Sequence, residues 1–187
     1  MTTFWITLAL TAFSCGLAFA QSNGEFPQTK VTATINAPLD SAFNYIVPVD
    51  LAHIFKRYGR LPAIVRTDEK EKWIRAGMSR TVFFEDGSTS KESLLTVVPH
   101  TSFSYRIESF TSQLRFLAER IEGDWVFTDL GDGQVKVEWT YRVVPKNSIT
   151  RGIIKLLLLE DINGLLRNAL ATLKDDLESG RYKNASR

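Results

Sequence analysis

Val31, Ala33 and Ile35 alternate with Lys30, Thr32 and Thr34, the period-two pattern of a half-buried strand. Ala37-Pro38 closes it, and Pro38 suits the first position of a helix. Leu39, Ala42, Phe43 and Ile46 then recur at helical spacing until Pro48 stops the run. Asp50 is placed to cap a second short helix over residues 51–57, which Gly59 ends. From 63 to 144 the pattern becomes that of successive strands, over 63–73, 78–85, 89–98, 103–110, 114–129 and 135–144. Asp86-Gly87, Pro99-His100-Thr101 and Gly131-Asp132-Gly133 supply the turns. Short turns between consecutive strands predict an antiparallel sheet rather than crossover units.

The last element is a long helix over 149–179, with Gly180 at its C-terminal cap. Ile149, Ile153, Leu157, Ile162, Leu166, Ala169, Leu173 and Leu177 form one apolar stripe, the expected core face. Residues 153–159 are apolar on more than one side. Gly152 and Gly164 each cost about 1 kcal/mol in a helix interior, and close backbone packing is the expected reason for both.

Composition adds a compartment and removes several functions. The 187 residues are 44% hydrophobic and 24% charged, with a formal charge of +2, as in a folded globular domain. Lys and Arg are dispersed among Asp and Glu, so no basic face forms for nucleic acid. The first twenty residues carry no charged side chain and close on Ala18-Phe19-Ala20, which reads as a secretory signal peptide cut after Ala20. No Lys or Arg precedes the apolar stretch, and an uncleaved anchor is the alternative. The expected organisation is a signal peptide over 1–20, a leader over 21–28, one domain over 29–180 and a tail over 181–187. The destination is periplasmic or extracellular. The single cysteine, Cys15, falls in the leading segment, so the mature protein is stabilised without disulfides.

Few residues offer chemistry. His53 and His100 are far apart and the mature chain has no cysteine, so neither a metal site nor another cofactor is expected. No nucleophile elbow or phosphate loop appears. His53, near the start of the domain, is a candidate general base. The better candidates lie on strands. If Asp86-Gly87 closes a three-residue loop, Arg80 falls directly across from Glu92; a two-residue loop shifts the register and separates them. An inward-facing pair must be matched, because an isolated buried charge is costly. Trp125 and Phe127 alternate with Val126, and Val137, Trp139 and Tyr141 with Glu138 and Arg142, so these aromatics face the long helix. Glu119 shares their parity if no bulge intervenes, and Tyr105 lines the adjacent strand.

The chain resembles the START-like or SRPBCC superfamily, especially its polyketide cyclase/dehydrase-type members. The likeness is carried by Ile35-Asn36-Ala37-Pro38 leading into Phe43-Asn44-Tyr45-Ile46, by Gly77-Met78-Ser79-Arg80-Thr81-Val82, and by Asp86-Gly87 with Glu92. Gly123-Asp124-Trp125-Val126-Phe127 and Val137-Glu138-Trp139-Thr140 complete it. The resemblance implies an α+β helix-grip fold: a curved antiparallel sheet of six to seven strands, two short helices and a long C-terminal helix around an apolar pocket. It implies a hydrophobic ligand, such as a lipid, isoprenoid, polyketide or aromatic, and does not by itself select a reaction. The expected ligand contacts are Arg80, Glu92, Tyr105, Glu119, Trp125, Phe127, Trp139, Tyr141, His53 and Leu157. Three readings stay open: a binding protein making transient membrane contact at 153–159, a cyclase or dehydratase, and an interaction module using the same leucines.

Overall fold

The computed structural model describes residues 26–182. The expected signal peptide, most of the leader and the end of the tail lie outside the described residues. Strand β1 (Gln28–Ile35) leads into helices α1 (Leu39–Ile46) and α2 (Leu51–Ile54). Strands β2 (Ile64–Thr67), β3 (Ser79–Phe84), β4 (Thr89–Val98) and β5 (Ser102–Glu108) follow. A 3-10 turn over Gln113–Phe116 precedes β6 (Ala118–Gly131) and β7 (Gln134–Pro145). The C-terminal helix comes in three parts: α3 (Ser148–Ile153), a π-helical turn (Ile154–Leu158) and α4 (Leu159–Ser179).

The seven strands form one antiparallel sheet in the order β1-β7-β6-β5-β4-β3-β2. This is a meander whose last strand returns to pair with the first. Alternation along each strand sends one set of side chains inward, among them Val31, Ile35, Leu94, Phe103, Val135, Val137 and Val143. Helix α4 covers that face with Ile162, Leu166, Ala169, Leu170, Leu173 and Leu177. Asp50 caps α2 by accepting from the Ala52 amide, and Gly180 ends α4 in the left-handed conformation at φ 78°, both as expected.

Four sequence expectations change. The strand predicted over 63–73 stops at Thr67, because the Asp68 carboxylate takes the Thr81 amide at 2.6 Å; Trp73 then folds back into the core. The second short helix ends at Ile54 rather than residue 57. At the termini, Pro27 is fully buried and its carbonyl accepts from the Val143 amide at 2.8 Å, so the end of the leader belongs to the domain. Arg181 and Tyr182 likewise pack back on it, against Asp176 and Tyr45.

The long helix carries the fourth correction. Its inward row at the start is Thr150, Ile154 and Leu158 rather than Ile149, Ile153 and Leu157, and Ile149 is 77% exposed. A row of every fourth residue drifts round an α-helix by about 40° per step. The π turn winds less per residue and returns the row to the core at Ile162 and Leu166. Gly164 has its expected role, since a Cβ there would stand 2.2 Å from the Tyr58 ring. Gly152 does not: nothing lies within 4 Å of its missing side chain.

Candidate functional site

Between sheet and helix is a cavity of about 420 Å³, within the range of small-molecule sites. Its wall is aromatic. Trp125 and Trp139 stack with centroids 4.1 Å apart, Phe103 stacks on Trp125 at 5.5 Å, and Tyr141 meets Trp139 edge-on at 6.2 Å. The indole of Trp139 donates to the Tyr105 hydroxyl at 2.9 Å. Ile54, Phe55, Leu158, Ile162, Leu165 and Leu166 close the helical side.

One polar cluster interrupts this lining, and hairpin geometry creates it. The Phe84 amide donates to the Ser88 carbonyl at 2.9 Å, leaving Glu85-Asp86-Gly87 as a three-residue loop with Gly87 at φ 79°. Arg80 therefore pairs with Glu92 in register, and both point inward. Arg80 Nε donates to Glu92 Oε2 at 2.6 Å and Nη1 donates to Glu69 Oε1 at 2.8 Å. The guanidinium lies 4.1 Å from the Trp73 ring centroid, a cation–π contact that helps a desolvated cation. The arginine side chain is 1% exposed.

Burial pushes the Glu92 carboxyl above the ordinary carboxylate range despite the pull of Arg80, and Glu69 adds to the push. Glu69 is half-buried, and burial alone would raise it. Contacts from Thr67, its own amide and Arg80 prevail and hold it low. Burial also raises both phenols that share the cavity: Tyr141, with Glu92 adding to the rise, and Tyr105, with Tyr141 and Glu92 adding. Both remain protonated near neutrality. Ser90 Oγ and Trp73 Nε1, both buried, have no hydrogen-bond partner, and no protein group hydrogen-bonds the Tyr141 hydroxyl among the described residues.

Six of the ten expected contacts line the cavity: Arg80, Glu92, Tyr105, Trp125, Trp139 and Tyr141. The other four do not. A bulge between Ala118 and Arg120 turns Glu119 to the surface, beside Arg120 at 3.7 Å. Phe127 is core, packed edge-on against Phe43 at 5.2 Å beyond the end of the cavity. The Leu157 side chain points outward because of the π turn, and Leu158 takes its place. His53 is 47% exposed and pairs through Nε2 with Asp176 Oδ2 at 2.7 Å, because α2 turns Leu51 and Ile54 inward instead. Buried Asp176 also accepts from Tyr45 Oη at 2.8 Å and Arg181 Nε at 2.9 Å. This cluster ties α4 to the rest of the domain.

Residues missed from sequence are Ser90, Trp73, Glu69 and Leu158. Ser90 shares the face of Glu92 two positions on, so strand parity could have found it. Trp73 and Glu69 gave no local signal.

The cavity lining also takes in Arg60, Leu61 and Pro62, Asp86 and Ser88 of the hairpin, and Ser112 and Gln113. Arg60 Nη1 donates to Asp161 Oδ2 at 3.0 Å and to the Leu157 carbonyl at 2.9 Å. With Tyr58 seated on Gly164, this fastens the loop after α2 to the C-terminal helix. Among the described residues no helix is long and apolar enough to cross a membrane.

A meandering sheet gripping a long terminal helix around a cavity defines a helix-grip, ligand-holding architecture. Residues 27–178 match the family model described as polyketide cyclase / dehydrase and lipid transport, and the chain belongs to that family. Solved structures agree on the fold. The structure titled Ara h 8.0201 is 19% identical with a TM-score of 0.58, covering 84% of this chain and 97% of that one. CV1439 from Chromobacterium violaceum is 15% identical with a TM-score of 0.58, covering 81% of this chain and 97% of that one. StfQ, a di-domain ARO/CYC from the steffimycin biosynthetic pathway, is 16% identical with a TM-score of 0.55. That match covers 83% of this chain and 46% of StfQ. No curated protein matches the sequence.

Proposed function

We propose that this protein is an exported carrier that holds one apolar small molecule between its sheet and its C-terminal helix. The observation that supports this reading is the cavity itself, about 420 Å³ walled by Phe103, Trp125, Trp139 and Tyr141. A lining that stays open instead of collapsing forgoes dispersion contacts, and an apolar guest restores them. Each buried methylene of that guest contributes about 0.8 kcal/mol.

The start of the C-terminal helix suits contact with a lipid surface. Phe116, Ile149 and Leu156 are exposed, Leu156 at 82%. Lys146, Arg151 and Lys155 accompany the two helical residues, with no acidic residue between 146 and 159. Cations beside exposed apolar side chains favour an anionic bilayer.

The test is native mass spectrometry of protein expressed with its first twenty residues and recovered from the cell envelope and medium. A small-molecule adduct that is lost when Ile162→Trp fills the cavity is the expected result. Protein that stays bare, binds no apolar probe and remains inside the cell would overturn the proposal.

A second reading, a cyclase or dehydratase, is favoured by one observation: Glu92, with its raised carboxyl, shares the cavity with the unbonded phenol of Tyr141. Such a pair can move a proton to and from a bound carbonyl compound. Turnover of a bound ligand that disappears in Glu92→Gln, with binding retained, would select it over the carrier.

A further inference from the structure

Strand β1 ends the sheet on one side, and helix α4 runs beside its free edge. The Pro27 carbonyl accepts from the Val143 amide at 2.8 Å, one step before the register pair Gln28 and Arg142. Odd-numbered residues of β1 therefore spend their backbone groups on β7, and even-numbered residues turn theirs to the free edge. Part of that edge is covered: the Thr34 carbonyl accepts from Lys174 Nζ, and the Asn36 amide donates to Glu178 Oε1 at 2.9 Å. The amides and carbonyls of Lys30 and Thr32 have no protein partner among the described residues.

Between this edge and α4 is a groove of about 410 Å³ that shares no lining residue with the cavity. Val31, Ala33, Leu170 and Ala171 supply its apolar lining. Asn163 Nδ2 donates to Thr29 Oγ1 at one end, and Lys174 reaches Thr34 at the other. From Thr29 to Thr34 along the strand, or from Asn163 to Lys174 along the helix, the span is about 16 Å. That is room for about four extended residues. Lys30, Arg167 and Lys174 line the groove, and no acidic residue does. Glu138 serves both Lys30 and Lys136, each at 3.2 Å. Arg167 is exposed and meets no carboxylate among the described residues. The groove keeps an excess of positive charge.

We propose that this groove receives an extended acidic segment of another protein, added to the sheet as a short strand along β1. Strand addition meets the amides and carbonyls of Lys30 and Thr32 together, and acidic side chains on the segment answer Arg167 and Lys30. Lysines on an edge discourage pairing with most strands; an acidic strand is the exception. An inorganic anion would leave the two carbonyls and the apolar lining unmet. A second copy offering its own β1 would bring another Lys30 against these cations, and like charges facing across strands destabilise. The inference uses no part of the cavity, so it stands apart from the carrier reading.

Fluorescence anisotropy with labelled Glu-Val-Glu-Val and Lys-Val-Lys-Val peptides tests it. Two further forms of the acidic peptide carry N-methyl groups, one on its glutamates and one on its valines. The acidic peptide should bind about tenfold more tightly than the basic one, and Arg167→Gln, an exposed change, should remove most of that difference. One methylated form should lose binding and the other keep it, because only alternate amides of an added strand face β1. Hydrogen exchange at the Lys30 and Thr32 amides should slow in the complex. Equal affinity for acidic and basic peptides overturns the proposal, as does binding of both methylated forms at the parent's affinity. Binding of neither tetrapeptide overturns it too. So does complete displacement by inorganic phosphate at matched ionic strength, which would mark a simple anion site.

Discussion

The ring of Tyr105 occupies the space in which Gly123 would carry a side chain: a Cβ at 123 would stand 2.1 Å from its Cζ and 2.5 Å from its hydroxyl. The two residues are register partners on β5 and β6. The glycine lets the tyrosine lie close to the sheet and receive the Trp139 indole proton.

Gly123→Ala should therefore displace Tyr105 into the cavity. Overpacking of this kind costs about 1–3 kcal/mol. Urea unfolding should show that loss, and near-ultraviolet circular dichroism should show altered packing of Trp139.

Arg80 and Glu92 should behave as a buried pair whose halves are worth more together than apart. Arg80→Met leaves Glu92 without its cation and should cost about 3–5 kcal/mol. Adding Glu92→Leu should recover much of that loss, as measured by denaturant midpoint. A double variant no more stable than the single one would contradict the pairing.

Asp176 gives stability a pH dependence. Burial alone would raise its carboxyl, but Arg181, His53 and Tyr45 outweigh burial and hold it below the ordinary 3.8. The unfolded chain then binds the proton more tightly than the folded one. The stabilisation is present above the unfolded value and is lost as pH falls from about 5 through the lower folded value. Asp176→Asn should cost about 2 kcal/mol near neutrality and flatten that acid limb. Thermal melts across the acid range provide the check.

Gly164→Ala separates the loop after α2 from global stability. The new methyl would strike the Tyr58 ring, which is partly exposed and free to swing outward. The helix gains about 1 kcal/mol from losing a glycine, offsetting the lost contact. The melting temperature should change little, while limited proteolysis near Tyr58 and ligand dissociation should both quicken.

Much of the site was legible because strands alternate. Parity alone puts Trp125, Trp139 and Tyr141 on one face, and the Asp86-Gly87 turn left two registers for Arg80, of which the three-residue loop is realised. Parity failed at Glu119, where a bulge reversed it. It failed on the helix too, where one π turn moved the inward row from Leu157 to Leu158. Both are one-residue changes, and each redirects a side chain to the opposite environment.

From sequence alone came the order of the elements, the antiparallel meander, the inward aromatic wall and the left-handed cap at Gly180. These follow from interactions between near neighbours along the chain, which the residue pattern encodes directly. Tertiary structure alone decided that Trp73 folds under Arg80, that Glu69 shares its charge, and that His53 belongs to Asp176 rather than to the cavity. Each joins segments whose approach depends on how the whole sheet bends around its helix, and no local pattern carries that information.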